Sequence, residues 1–564
     1  MNKPKYPWAL ELDRPIIPGF YPDPSIVRVG DTYYIANSSF EYAPGVPVHS
    51  SKDLVNWTFA GHALPTRAQL NIEGQQNSGG IFAPTIRHHD GKFWMITTLT
   101  DGKWQVLVSA ENIEGPWSDA VRIDVFGIDP DLFWEEDGRC FMTYASLPLQ
   151  GLAQVEINTA TGETIGEPYL VWQGNGGKFP EGPHIYKIDD WYYILIAEGG
   201  TERGHAVSLA RSKNLAGPYE ADPKGILLSN RGTDYTIQQT GHADLVQRPD
   251  GSWAMVFHGT RPKGASPEWF VMGRETCAVE INWLDGWPQL GAPIQSEQEK
   301  TVHEVLDSSS TLPEEWISVG SWPKENTEQT ANGILFKGFV SRRQTTRHFE
   351  LVAELEGDGP GGIGVGIDGR HHLGLLRDKQ RAWAQWTIGD HSFEIGSVAG
   401  QVKTLKLSSQ EMKGGFTDPV GPDKLHLSVL HADGTEHDRA RRNALVRKIK
   451  YLDLLLLLRL DLRHLDPAKV RQALMGGFAS SRILEVHGER MVKRTFDPGF
   501  RIELHQKDLG LALQGAREMG VALPHTASAA QLMQVCAAQG LAGLDHSALC
   551  RSLETMAGHQ IAGS

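Results

Sequence analysis

Apolar and polar positions follow one order five times over in the first 260 residues. A short apolar run leads into an acidic or Asp-Gly turn, and an aromatic run follows. The copies begin Asp23-Pro-Ser-Ile-Val-Arg-Val-Gly-Asp-Thr-Tyr-Tyr, Ala83-Pro-Thr-Ile-Arg-His-His-Asp-Gly-Lys-Phe-Trp and Asp129-Pro-Asp-Leu-Phe-Trp-Glu-Glu-Asp-Gly-Arg-Cys-Phe. The last two begin Glu181-Gly-Pro-His-Ile-Tyr-Lys-Ile-Asp-Asp-Trp-Tyr-Tyr and His242-Ala-Asp-Leu-Val-Gln-Arg-Pro-Asp-Gly-Ser-Trp. Each copy predicts a β-hairpin. Recurrence at intervals of roughly 45–60 residues predicts radial repetition, a five-bladed β-propeller over 1–300. The turn acids Asp31, Asp90, Asp137, Asp190 and Asp250 are assigned to shaping those turns.

Beyond a polar stretch at 295–300 the alternation continues, as in Phe349-Glu-Leu-Val-Ala-Glu-Leu and Lys424-Leu-His-Leu-Ser-Val-Leu. It predicts a β-sandwich over 301–436. At His437 the pattern changes. A basic run from Arg439 to Lys450 precedes the leucines 454–458, so 437–463 reads as a junction. From 464 to 564 the chain is Ala-rich and helical. Asp466-Pro467 is the expected N-cap and N1, and a further helix is expected from Ser528 to Gln539, stopped by Gly540. The fold class is thus mainly β: a propeller, an apparently truncated sandwich and an α-helical tail.

Composition narrows the function. With 564 residues, several domains are required. A formal charge of -14 argues against nucleic-acid and anionic-membrane partners. The four cysteines have no metal-binding or disulfide spacing. The leucine run is too short to span a bilayer, and the first residues lack a secretion signal, so a cytoplasmic location is expected.

Placed in register, the five heads are Asp23, Ala83, Asp129, Gly182 and His242, with Glu181 one step before Gly182. In a propeller these points face one axis, so three carboxylates and a histidine should converge. An acid beside a turn is ordinarily a cap or a solvated group. Three at equivalent points are better explained as a site, in which crowding raises the proton affinity of at least one. One protonated and one ionised carboxyl flanking a sugar are what glycoside hydrolysis uses. Asp131 and Asp244, two residues beyond their heads, are secondary candidates.

The motifs Pro22-Asp23-Pro-Ser, Asn37-Ser-Ser-Phe-Glu, Ser78-Gly-Gly-Ile-Phe-Ala-Pro, Ile128-Asp-Pro-Asp-Leu-Phe, Pro180-Glu-Gly-Pro-His and Thr240-Gly-His-Ala-Asp-Leu resemble family 43 glycoside hydrolases. The resemblance covers about 10–435 and is nearest to the branch of β-xylosidases and α-L-arabinofuranosidases. It implies exo-acting, inverting hydrolysis of xylo-oligosaccharides. It assigns Asp23 as general base, Glu181 as general acid, and Asp129 as the carboxylate that orients and tunes that acid. Arg274, Phe40 and Phe82 would line the sugar subsite. His242 would hold an axial water or a structural Ca2+, or would be a satisfied core histidine. No cofactor is expected to be required for the chemistry, and a homo-oligomer is compatible.

The tail motifs Asp466-Pro-Ala-Lys-Val-Arg-Gln-Ala-Leu-Met, Arg494-Thr-Phe-Asp-Pro-Gly-Phe-Arg, His505-Gln-Lys-Asp-Leu and Gly543-Leu-Asp-His-Ser-Ala resemble the C-terminal helical domain of 2-hydroxy-3-oxopropionate reductases. Such enzymes need an N-terminal Rossmann domain that carries GxGxxG after a strand, and no such unit is read in this chain. No dehydrogenase activity is expected, and Lys507, the family's cofactor-facing lysine, becomes a surface residue. A natural fusion, a dimerising element and a chimera scarred at 437–463 all account for such a tail.

Overall fold

In the computed structural model, the described residues are 6–263, 270–296, 311–410, 424–431, 436–439 and 481–557, except 71, 100–103, 331–332, 356, 358 and 519–522, with 468, 471 and 475 besides. The leucine run and Asp466-Pro467 lie outside them.

The five predicted hairpins grow into five antiparallel four-stranded sheets, taken in chain order. Sheet I is Ser25–Val29, Thr32–Ala36, Gly45–Ser51 and Thr58–Leu64; sheet II is Thr85–His89, Lys92–Thr98, Trp104–Ala110 and Val121–Asp124. Sheet III is Ile128–Trp134, Cys140–Ser146, Gly151–Ile157 and Thr164–Trp172; sheet IV is Glu181–Ile188, Trp191–Glu198, Ala206–Ser212 and Glu220–Leu228. Sheet V is Gln238–Gln247, Trp253–Thr260, Arg274–Leu284 and Trp287–Ile294. The five first strands neighbour one another in a closed ring, the fifth returning to the first. All five turn acids lie in the hairpin turns.

Successive sheets bury apolar side chains between them. Ile35 and Ile26 of sheet I meet Val256 and Ala278 of sheet V, which closes the ring. Leu195 and Leu209 of sheet IV meet Phe257 and Val279 of sheet V. Each Val, Leu, Ile or Phe among them, fully buried, contributes roughly 1.5–3 kcal/mol. The segment before sheet I adds a clasp. Ile17 pairs with Thr276, and Asn37 Nδ2 donates to the carbonyls of Tyr21 and Pro22 and to Thr276 Oγ1, each at 3.0 Å.

The chain divides into two compact units, one within 1–357 and 402–445, the other within 358–401 and 446–564. In the first, Ser318–Val319 pairs with Tyr42–Ala43, and Trp322 enters the core between sheets I and II. This unit also holds the sheet Glu350–Glu354, Val402–Gln410, Lys424–His431 and Glu436–Arg439. Its last strand runs across the position where the sequence pattern changes: His437 pairs with Val429 and Arg439 with Leu427.

The second unit holds a meander, Gly361–Asp368, His371–Arg377, Arg381–Ile388 and His391–Ala399, and the described helices Arg482–Lys493, Ile502–Glu518, Pro524–Ala538 and Leu549–Ala557. Ser481 caps the first, its hydroxyl accepting from Leu484 N–H at 3.0 Å. The third begins at Pro524, four residues before the expected Ser528. Proline at N1 lacks the N–H that would go unpaired there, so no polar cap is needed to start the helix. Gly540, at φ +80°, ends it as expected. Phe496, Ile502, Met533, Cys536 and Leu541 form the helical core. None of the described helices is long and apolar enough to cross a membrane.

Candidate active site

The heads of the first strands share one backbone peculiarity. Asp23, Asp129, Gly182 and His242 have φ of 52°, 56°, 57° and 50°. For the three with side chains, this left-handed conformation costs roughly 1–2 kcal/mol each and persists only where the surroundings impose it. In sheets III, IV and V the strand pairing slips at the same place, between Ile128 and Asp131, Glu181 and His184, and Gly241 and Asp244. Such bulges re-aim a side chain out of the strand's alternation.

Sheet IV departs from the others for a steric reason. A Cβ on Gly182 would lie 2.8 Å from His242 Nε2 and 3.0 Å from its Cε1. The head of sheet IV therefore carries no side chain, and the acid comes from Glu181 beside it. A Gly182→Ala variant should lose about 10²-fold in kcat/KM, the cost of a misplaced catalytic group. A kinetic comparison with the wild type checks this; unchanged kcat/KM would mean the His242 ring gives way freely.

Asp23 is buried and enclosed by cations and donors. Arg274 Nη1 reaches its Oδ1 at 2.5 Å, His258 Nδ1 lies 2.9 Å from the same oxygen and His242 Nδ1 3.6 Å. Ser38 Oγ donates to Oδ2 at 2.5 Å. Burial opposes charge on Asp23, but Arg274, then His242 and His258, outweigh it and hold the carboxyl well below the usual carboxylate range.

Glu181 lies in the opposite regime. Burial first, then the charge on Asp23, pushes it up to about 7, with Arg274 opposing. Asp129 is raised well above its ordinary value by burial, then Glu181, then Asp23. Its Oδ2 accepts the Gly182 N–H at 3.1 Å, tying it to the residue that follows Glu181. Asp129, raised partly by the charge on Glu181, thus holds its proton beside Glu181. One ionised carboxylate facing protonated carboxyl groups is an acid–base constellation.

The predicted subsite residues gather here. Arg274 stands over the Phe40 ring, 5.3 Å from its centroid, and Phe40 lies 5.7 Å from Phe82 and 5.8 Å from Phe20. His242 is buried, and burial lowers it to about 3, so its imidazole is neutral. Ligand atoms of Asp23, His242 and His258 lie within 4.8 Å of one another. This set does not fit calcium, which takes six to eight oxygens. The group offers one carboxylate, already engaged by Arg274, His258 and Ser38, and two imidazoles.

Beneath the heads lies a second buried layer. Arg87 bridges Asp131 Oδ1 at 2.6 Å and Asp244 Oδ2 at 2.9 Å, and its Nη2 is 2.8 Å from His184 Nδ1. The Tyr186 hydroxyl donates to Asp244 Oδ1. Asp131 and Asp244 thus neutralise an axial arginine rather than join the acids above.

Sequence reasoning missed Arg87, His184, Tyr186 and His258. The first three sit two or four positions beyond their heads, in register with one another, a periodicity the sequence does contain. His258 carries no such signal, because only its pairing opposite Gly241 in sheet V brings it beside Asp23. His258 Nε2 in turn lies 3.2 Å from His205 Nδ1.

Comparison with known proteins places this geometry in context. Residues 12–288 match the model of glycosyl hydrolases family 43. A β-xylosidase of Bacillus subtilis is 38% identical over 400 residues, covering 62% of this chain and 74% of that protein. A non-reducing-end α-L-arabinofuranosidase of Bacteroides ovatus is 44% identical, covering 49% of this chain and 53% of its own length. The crystal structure of a xylan β-1,4-xylosidase from Bacillus halodurans matches with a TM-score of 0.65 at 29% identity, covering 76% of this chain and 91% of that one. The tail is different: residues 457–553 match the NAD-binding domain of NADP-dependent 3-hydroxyisobutyrate dehydrogenase. There a 2-hydroxy-3-oxopropionate reductase of Escherichia coli is 66% identical over 97 residues, which is 17% of this chain and 33% of the reductase.

Proposed function

We propose, from the premise that this chain belongs to glycosyl hydrolase family 43 and is a glycosidase, that it releases xylose from the non-reducing end of β-1,4-xylo-oligosaccharides with inversion. The closed ring of five sheets supports reading its catalytic part as a five-bladed propeller. The observation that carries the mechanism is the separation of protonation states: Asp23 held ionised, Glu181 raised to about 7. Glu181 delivers its proton to the leaving oxygen. Asp23 takes a proton from the water that attacks the anomeric carbon on the opposite face. Arg274 keeps Asp23 charged, burial and the charge on Asp23 keep Glu181 protonated, and Asp129 orients the acid through the Gly182 N–H. The aromatic rings of Phe40 and Phe82 offer an apolar wall to the sugar. No metal enters any step.

Inversion requires room for water, so the Asp23 and Glu181 carboxyls should stand about 6.5–9.5 Å apart in the sugar complex. A proton NMR time course on xylobiose tests it directly: α-xylose should appear first, and β-xylose first would show retention. The second reading, α-L-arabinofuranosidase as the main activity, draws on the similarity to the Bacteroides protein. Rates on p-nitrophenyl β-D-xyloside and α-L-arabinofuranoside rank the two, and negligible rates on both would leave a sugar-binding protein. For the tail, Lys507 is exposed on the helix Ile502–Glu518, and the match spans a third of the reductase. We read this part as inactive in hydride transfer. NADPH oxidation with tartronate semialdehyde would reverse that reading.

A further inference from the structure

A second cluster of ionisable groups lies in the helical tail. His487, on the helix Arg482–Lys493, and His546, in the short turn of helix His546–Ala548, bring their Nε2 atoms to 3.1 Å. His505, from the helix Ile502–Glu518, joins them, its Nδ1 3.0 Å from His546 Nδ1. Asp545 is buried, with its Oδ1 3.2 Å from His487 Nδ1.

The pairing of the outer nitrogens fixes what the inner ones can do. His487 Nδ1–H donates to Asp545, which leaves its Nε2 with a lone pair. His546 Nδ1–H can donate to His505 Nδ1, which leaves its Nε2 in the same state. Two lone pairs are then offered by nitrogens 3.1 Å apart. A carboxylate or acceptor behind each imidazole is the outer-shell arrangement that fixes tautomer and ring orientation at metal sites. With metal–nitrogen bonds of about 2.05 Å, nitrogens 3.1 Å apart subtend about 98° at the ion. That falls between octahedral and tetrahedral angles.

Asp545 acts behind the site, not in it. Arg490 binds its Oδ2 at 2.6 Å, the backbone N–H groups of Gly499 and Phe500 reach the same oxygen at 3.0 Å, and Ser547 Oγ donates to Oδ1 at 2.6 Å. Its oxygens are engaged, so a bound ion would take water in its remaining positions. His487 and His546 are only partly buried, which leaves solvent access. Imidazole donors without a free carboxylate select borderline transition ions over calcium or magnesium.

We propose that His487 and His546 form a two-imidazole site for a divalent transition ion such as Zn2+, oriented by Asp545 and His505. Isothermal titration of the full chain with zinc chloride tests the site. One equivalent should be lost in His487→Gln and in His546→Gln, with xylosidase rates unchanged. Stoichiometry equal to wild type in both variants would overturn the proposal. A zinc-edge anomalous map of the unaltered protein soaked in zinc provides a second measurement, independent of variant folding. A peak between the two Nε2 atoms supports the site, and its absence at saturating zinc refutes it.

Discussion

Replacing Glu181 by Gln should lower kcat/KM on xylobiose by about 10²–10⁴-fold, the usual contribution of a positioned general acid. The loss should be smaller on p-nitrophenyl xyloside, because nitrophenolate departs without a proton. Ligand affinity should persist, since the amide keeps the shape of the carboxyl. The pH profile gives the stricter test. As the proposed general acid Glu181 works protonated, and burial together with the charge on Asp23 raises it to about 7. Wild-type kcat/KM should therefore fall as pH rises past about 7, by about tenfold per unit. As the proposed general base Asp23 works ionised and is held well below the usual range, so no loss is expected at mildly acidic pH. In the Glu181→Gln variant the alkaline limb should vanish. Steady-state kinetics between pH 5 and 9 check both points; an alkaline limb retained in the variant would assign the acid to another group.

The second large effect concerns stability. Arg87 is the cation between the fully buried carboxylates of Asp131 and Asp244. Burial alone would push Asp244 up, but Arg87, then His184, draw it down to about 2. Arg87→Met leaves two buried negative charges uncompensated, which should cost about 3–5 kcal/mol. Urea denaturation followed by tryptophan fluorescence reports on this part of the chain, because all 16 tryptophans precede residue 387. Arg87→Lys keeps the charge but loses the forked contact, and should fall between the two. A midpoint unchanged in Arg87→Met would show that water or protonation already relieves the pair.

The two effects separate what the repeat does at each level. At the heads it brings together acids whose protonation states differ. Two and four residues further in, the same register assembles the ion cluster that holds the first strands together.

Much of this was legible in the sequence because a radial repeat turns a linear register into a spatial one. Asp23, Asp129, Gly182 and His242 share a register in the sequence and a left-handed backbone in the fold. The helix ending at Gly540 was equally readable, since glycine adopts φ +80° without strain. Its start was not, because Pro524 replaces the polar cap on which the expectation of Ser528 relied. His258 stayed hidden because strand pairing opposite Gly241, not sequence spacing, places it. The tail cluster stayed hidden for a similar reason: His487 and His546 are 59 residues apart and meet only when the helices pack.

By itself, the sequence determined which residues head the five first strands, where the hairpins turn and that three carboxyl groups share an axis. These follow from local periodicity and turn chemistry, which act over a few residues. Only the tertiary structure decided which acid keeps its proton. That depends on burial and on charges brought from afar: Arg274, 251 residues beyond Asp23, ionises it, and Asp23 in turn raises Glu181. A carboxyl group's proton affinity belongs to its surroundings, and those surroundings exist only once the ring has closed.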